Sequence, residues 1–383
     1  MAIESAPVYA TLPRHPRYPS LDLWRGVACL IVVVFHASLF CYQSGQLAGL
    51  SGWIVAVCAR GWIGVPLFFV ISGYCISATA DAARRRGHPV SRYFIRRFRR
   101  IYPPYWAVLA CSLVFVYLLY GSGHAHWITG NFEDINAIPH PGSLHPWQWF
   151  GNVTLTETWR MHLVPPGSKL LLGHAWTLCY EEQFYAVTGI LLLAAPRRFF
   201  LGVALVSVAV VACTPLGWAA SGFFWDGRWL LFAAGVGVYY ALNYADHRGQ
   251  CIIAALLTAG ILHDLCKLNG WLDPPWVFSG MHRNEPLCAY GFALLALALH
   301  RFDSAICALK IAPPLLACGR MCYSLYLVHF PIVLALSHAA FLAGLQSSAW
   351  TAFLTIPACV GCTLVAGWLF HMTVERRFLN PPT

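Results

Sequence analysis

Stretches of about 20 mostly apolar residues recur along the chain, and few of them keep the polar face that a helix in water turns to solvent. Ten are read, at 21–42, 53–79, 103–121, 175–195, 199–217, 223–243, 250–268, 286–301, 323–342 and 350–371. A segment of that length crosses about 30 Å of hydrocarbon, where every backbone polar group must be paired inside its own helix. The expectation is an all-α, polytopic integral membrane protein of about ten transmembrane helices. Charged residues are 10% of the 383, against about 25% in soluble domains, which argues against a large soluble helical protein.

Residues 1–20 hold Pro7, Pro13, Pro16 and Pro19 and no apolar core, so they read as a polar cytoplasmic tail and not as a signal peptide. Residues 21–378 read as a single membrane domain with one long extracytoplasmic loop, 122–174. With both termini cytoplasmic, nineteen of the 25 basic residues fall on the inner side, as the positive-inside rule demands. The net charge of +10 is thereby explained by topology and contact with acidic lipid, and no nucleic-acid partner is expected. Neither GxxxxGK[ST] nor GxGxxG is present, which gives no support to an ATP-driven pump or a nicotinamide enzyme. The fifteen cysteines are scattered, and the CxxC at Cys359 and Cys362 lies in an apolar run, so no disulfide framework or redox pair is expected. The histidines at 124, 126, 140, 145, 162 and 174 are irregularly spaced and read as polar loop, with no metal site.

Ionisable residues inside spans are expensive and mark function. His36 lies 11 residues beyond Arg25, about 16 Å along a helix, and that spacing puts Asp22, Arg25 and His36 on one face. Glu181 enters from the opposite side and reaches a similar depth, so the two suit a base and the carboxylate that orients it. A hydrogen-bonded core histidine or a metal ligand are the other readings of His36. For His329 the structural reading leads, since Pro331 frees a nearby carbonyl that an imidazole can satisfy. Arg97 and Arg100 project together from the turns before Pro103 and Pro104 and suit a phosphorylated ligand.

Taken in order, "LDLWRGVACLIVVVFH", "PLFFVISGYCIS", "RRFRRIYPPYW", "AWTLCYEEQFY", "RWLLFAAGV", "YSLYLVHFPI" and "TVERRF" make a series that resembles the acyltransferase 3 family of polytopic membrane O-acyltransferases. The resemblance covers about 20 to 378. It implies transfer of an acyl group, usually acetyl from cytoplasmic acetyl-CoA, to a hydroxyl of a carbohydrate or other acceptor, by a multi-pass protein of the bacterial inner membrane. The family's Arg-x10-His motif falls on Arg25 and His36, its Arg-x-x-Arg on Arg97 and Arg100, and its W-x4-E-x2-F-Y on Trp176, Glu181, Phe184 and Tyr185. FF-x-x-SG falls on Phe68, Phe69, Ser72 and Gly73. Two positions depart from the pattern: Thr177 replaces a common serine, and Arg377 stands where E-R-P-F has proline.

The resulting expectation is that acyl-CoA is a donor substrate and not a resident cofactor, with its phosphates on Arg97 and Arg100, and Arg25 beside them. His36, with Glu181, acts as general base on the acceptor hydroxyl, and Ser72 or Tyr326 serves as an oxyanion donor. His329, Trp176 and Tyr185 join the substrate contacts. A proton-coupled transporter or flippase of a lipid-linked sugar is the competing class, in which the buried His and Glu would relay protons. Neither the acceptor nor the oligomeric state is legible.

Overall fold

The computed structural model describes residues 13–15, 18–45, 47–123, 138–194, 198–269, 271 and 284–379, and the regular structure among them is helical throughout. The principal helices are α1 (Ser20–Ser44), α2 (Gly49–Cys58), α3 (Gly64–Arg85), α4 (Val90–Gly121), α5 (Pro146–Thr154), α6 (Trp176–Ala194), α7 (Phe199–Cys213), α8 (Arg228–Asn243), α9 (His247–Leu268), α10 (Glu285–Leu299), α11 (Ala312–Arg320), α12 (Cys322–Leu342) and α13 (Ile356–Phe370).

Among the described residues, six stretches are long and apolar enough to cross a membrane: Ser20–Leu39, Gly49–Arg85, Val90–Gly121, His247–Leu268, Cys322–Leu342 and Ser348–Phe378. A seventh joins them if Glu285–Cys307 and Ala312–Arg320, bent by 110°, form one broken span. The count of about ten is not reached by this standard. Helices do form at the remaining segments, but α7 and α8 have 15 and 16 residues, and the 19-residue α6 carries Glu181, Glu182 and Gln183.

A second departure concerns α4. Pro103 and Pro104 lie inside it, and the helix runs on through them instead of ending there. Tyr105 and Trp106 hold the passage from the side, donating to the carbonyls of Asn152 (2.7 Å) and Val153 (2.9 Å) at the end of α5. Tertiary hydrogen bonding thus outweighs the local penalty of proline in a helix.

The chain divides into two compact units, one of Met1–Leu21, Pro66–Arg97 and Tyr180–Leu309, the other of Asp22–Val65, Phe98–Cys179 and Lys310–Thr383. In the first, α3 and α8 meet backbone to backbone at two glycines. A Cβ on Gly73 would stand 2.0 Å from the Phe232 carbonyl oxygen, and one on Gly235 1.8 Å from that of Val70. Small residues at such crossings let helices approach within van der Waals contact. Phe184 fills the space beside the crossing, stacked on Phe232 at 4.7 Å and edge-on to Phe69 at 5.5 Å. Asp81, fully buried, is neutralised by Arg84 and Arg85 and receives the hydroxyls of Tyr239 and Tyr244.

The second unit repeats the device. Gly319 of α11 approaches the Asp22 carbonyl of α1, where a Cβ would sit 1.7 Å away. Val33 and Ala37 of α1 pack with Val333 of α12 and Ile356 and Cys359 of α13 in one buried cluster. The loop part of this unit is organised by a buried ion pair: Arg160 donates to Glu157 at 2.8 Å, and Glu157 also accepts from the Lys169 amide.

Candidate active site

His36 is brought against α12 by the α1 packing just described. Its ring lies 5.1 Å from that of His329 and edge-on to Phe330 at 5.5 Å, centroid to centroid. The tautomers follow from the acceptors. His36 Nδ1 lies 3.0 Å from the Val32 carbonyl oxygen, which only accepts, so that nitrogen carries the proton. His329 Nδ1 lies 2.6 Å from the Tyr326 carbonyl and is protonated by the same logic, which leaves its Nε2 as the lone pair facing His36 Nδ1 at 3.3 Å. Both Nδ1 positions are therefore committed, and the basic atom of His36 is Nε2. The group that fixes the His36 tautomer is thus a carbonyl one turn back on its own helix, where the sequence pointed to a carboxylate.

His329 takes the Tyr326 carbonyl, one residue before Leu327, whose i+4 partner Pro331 has no N–H to give. Tyr326 donates its hydroxyl proton to the His174 carbonyl at 2.5 Å and, with that proton committed, accepts from Thr177 Oγ1 at 2.7 Å. The hydroxyl retained by the Ser-to-Thr departure thus has a partner. Asp22 and Arg25, expected on one face of α1, form an ion pair at 2.8 Å.

Glu181 sits in the other unit, and its surroundings are equally specific. Ser72, the residue before the close-packed Gly73, donates to Glu181 Oε1 at 2.5 Å, and Tyr185, one turn along α6, donates to Oε2 at 3.1 Å. Both carboxylate oxygens are thereby oriented. The guanidinium of Arg97 lies 5.2 Å from the centre of the Tyr185 ring and 5.7 Å from that of Tyr93, and it donates to Thr79 Oγ1 at 3.0 Å. Ser72, Glu181, Tyr185 and Arg97 form one continuous line of contacts, a guanidinium stacked on the tyrosine that holds the carboxylate. Arg96, Arg97 and Arg100 are half-buried, whereas Arg92 and Arg99 are exposed. Trp176 is half-buried at the first turn of α6.

The loop histidines separate into two kinds. His140 and His145 cap local backbone, accepting from the amides of Gly142 and Trp147, His162 is exposed, and His124 and His126 lie outside the described residues. His174 is different. It is 4% exposed, its ring lies 5.0 Å from that of His329, 4.9 Å from Tyr326 and 5.1 Å from Phe330, and neither ring nitrogen has a hydrogen-bond partner among the described residues. Burial, reinforced by the imidazoles of His329 and His36, holds its pKa well below the usual range, so the ring is neutral. Grouping it with the polar loop missed this. The available signal was "LLLGHAW", which sets His174 beyond an apolar run and two residues before the Trp176 motif. Among the described residues no group of three or more His, Cys, Asp or Glu side chains is arranged to hold a metal ion.

A family model for an acyltransferase domain matches residues 18–372. The O-acetyltransferase OatA of Staphylococcus aureus is 24% identical over 351 residues, covering 83% of this chain and 51% of the relative. The peptidoglycan O-acetyltransferase OatA of Listeria monocytogenes is 26% identical over 172 residues, covering 44% of this chain and 23% of the relative. The matched segments thus span about half the length of the first relative and less of the second. No solved structure matches the chain.

Proposed function

Because the chain belongs to the acyltransferase domain family, whose model spans residues 18–372, we propose that it is a membrane O-acetyltransferase with His36 as its general base. Acetyl-CoA is the donor in this reading, and the acceptor is a hydroxyl of a cell-envelope polysaccharide, with peptidoglycan the first candidate because a relative's name specifies it. The observation that carries the proposal is the His36 tautomer. With Nδ1 committed to the Val32 carbonyl, Nε2 offers a lone pair at a half-buried position 11 residues from Arg25, the spacing the family motif requires. A base so placed takes the acceptor hydroxyl's proton as the oxygen attacks the thioester, which is worth about 10²–10⁴-fold in rate.

Glu181 belongs to the reading as the carboxylate that stabilises the charged imidazole, an assignment that rests on chain depth and on the family motif. Arg25, Arg97 and Arg100 are assigned to the donor's phosphates on charge and motif. In this reading both termini face the cytoplasm, which the distribution of basic residues supports, and the membrane is the bacterial inner membrane.

The test uses the full chain reconstituted in lipid nanodiscs with acetyl-labelled acetyl-CoA and purified peptidoglycan fragments. Wild-type protein transfers label to the fragments, and His36→Ala loses transfer at least 100-fold while accumulating normally. A His36→Ala variant that keeps a tenth of the rate refutes the assignment. Sugar translocation in vesicles without any acetylated product replaces the reading with a flippase or transporter.

A further inference from the structure

The imidazoles of His36, His329 and His338 each commit Nδ1 to a carbonyl of their own helix. His174 does not, although it is as buried as its neighbours and is held in place on several sides. Its carbonyl receives Tyr326, its ring leans on Tyr326 and Phe330, and it sits at the entry to α6. A buried polar group with no partner calls for an explanation, and a bound ligand group is one. The neighbour it leans toward, His329, is the one that contacts His36, so the rings of His36 and His174 lie within about 10 Å of each other. A base and an oxyanion donor acting on one carbonyl, each at about 3 Å from its own atom, fit within that limit.

We propose that His174 is a further catalytic residue, an imidazole N–H that binds the carbonyl oxygen of the acyl donor's thioester and holds it as negative charge develops. This rests on the acyltransferase reading above. The acceptor hydroxyl oxygen bonds to the thioester carbon while His36 Nε2 takes its proton, and the carbonyl π pair moves onto the oxygen that His174 holds. Collapse re-forms the carbonyl and breaks the carbon–sulfur bond, and the CoA thiolate leaves with the proton returned from His36. The products are the ester and free CoA thiol, and His174 donates a hydrogen bond throughout without itself being consumed. Its low basicity suits that role, since it keeps a donor N–H available without adding a second positive charge beside His36.

The experiment compares His174→Phe and His174→Gln with wild type in the full-length nanodisc assay, alongside thermal unfolding of each. Phenylalanine keeps the ring packing and deletes both unpartnered nitrogens, so its unfolding midpoint equals or exceeds that of wild type. Its kcat falls about 100- to 1000-fold with the acetyl-CoA KM within about threefold. Glutamine restores an N–H and recovers at least tenfold over phenylalanine. Retention of more than a third of kcat by His174→Phe overturns the proposal, as does a lowered midpoint with no recovery by glutamine, which marks a structural histidine. A wild-type protein that transfers no acetyl group fails at the earlier step, the acyltransferase reading, and is told apart because the turnover it lacks is the one the variants are measured against.

Discussion

Replacing Gly73 by alanine tests how tightly the α3–α8 crossing sets the Ser72–Glu181 contact. The new methyl carbon would lie 2.0 Å from the Phe232 carbonyl oxygen, and ordinary contact begins near 3.4 Å, so the helices must part locally by about 1.4 Å. Backbone cannot rotate away as a side chain would, and overpacking of this kind costs about 1–3 kcal/mol. Ser72 is the adjacent residue, and its 2.5 Å hydrogen bond to Glu181 tolerates little displacement. A shift of about 1 Å in a positioned group reduces turnover about 100-fold. Gly237 on α8 supplies the control, because a Cβ there meets nothing closer than 3.6 Å, and alanine in a helix is favoured over glycine by up to about 1 kcal/mol. Thermal unfolding in one detergent, read by size-exclusion chromatography, should show Gly73→Ala below wild type and Gly237→Ala at or above it. Equal midpoints for the two variants refute the close-packing argument.

Three further perturbations have expected outcomes. Arg97→Ala should raise the acetyl-CoA KM at least tenfold with kcat within about threefold, and an unchanged KM assigns the arginine to supporting Tyr185 instead of the donor. Glu157→Gln leaves Arg160 charged and buried in the loop, a loss of about 3–5 kcal/mol, seen as faster proteolysis within residues 138–174; a rate equal to wild type shows that the ion pair does not hold the loop. Because the native pKa of His174 is depressed, acid protonates the unfolded chain first, so this residue's contribution is intact above about pH 6.5 and is lost as pH falls below it. The stability gap between His174→Phe and wild type should therefore widen by up to about 1.4 kcal/mol per pH unit in that range, and a gap that stays constant shows that the histidine titrates normally.

What the sequence conveyed well was whatever is local along one helix. The apolar lengths located the helices, and the 100° step put Asp22 and Arg25 within ion-pairing reach. Contacts between distant segments were not legible, because period and spacing say nothing of which helix lies opposite. His36 meets His329 across 293 positions, and Tyr326 reaches His174 across 152. Arg97 carried the motif in the sequence, yet its stack on Tyr185 depends on where α6 passes. The continuity of α4 was hidden for a related reason: proline locally favours a helix break, and the carbonyls of Asn152 and Val153 that hold Tyr105 and Trp106 are brought near only by the folded chain.

The unbroken α4 has a consequence for the bilayer itself. Its 32 residues measure about 48 Å, some 18 Å more than the hydrocarbon core, and the surplus of about twelve residues matches the arginine-bearing stretch from Val90 to Ile101. With the proline pair just beyond that surplus, a single continuous helix carries both the apolar crossing and the cationic collar, so the depth of the collar is tied to membrane thickness. In thicker bilayers the collar is drawn toward the headgroups, and in thinner ones it stands clear, which makes lipid chain length a control on how far the arginines stand from the membrane surface.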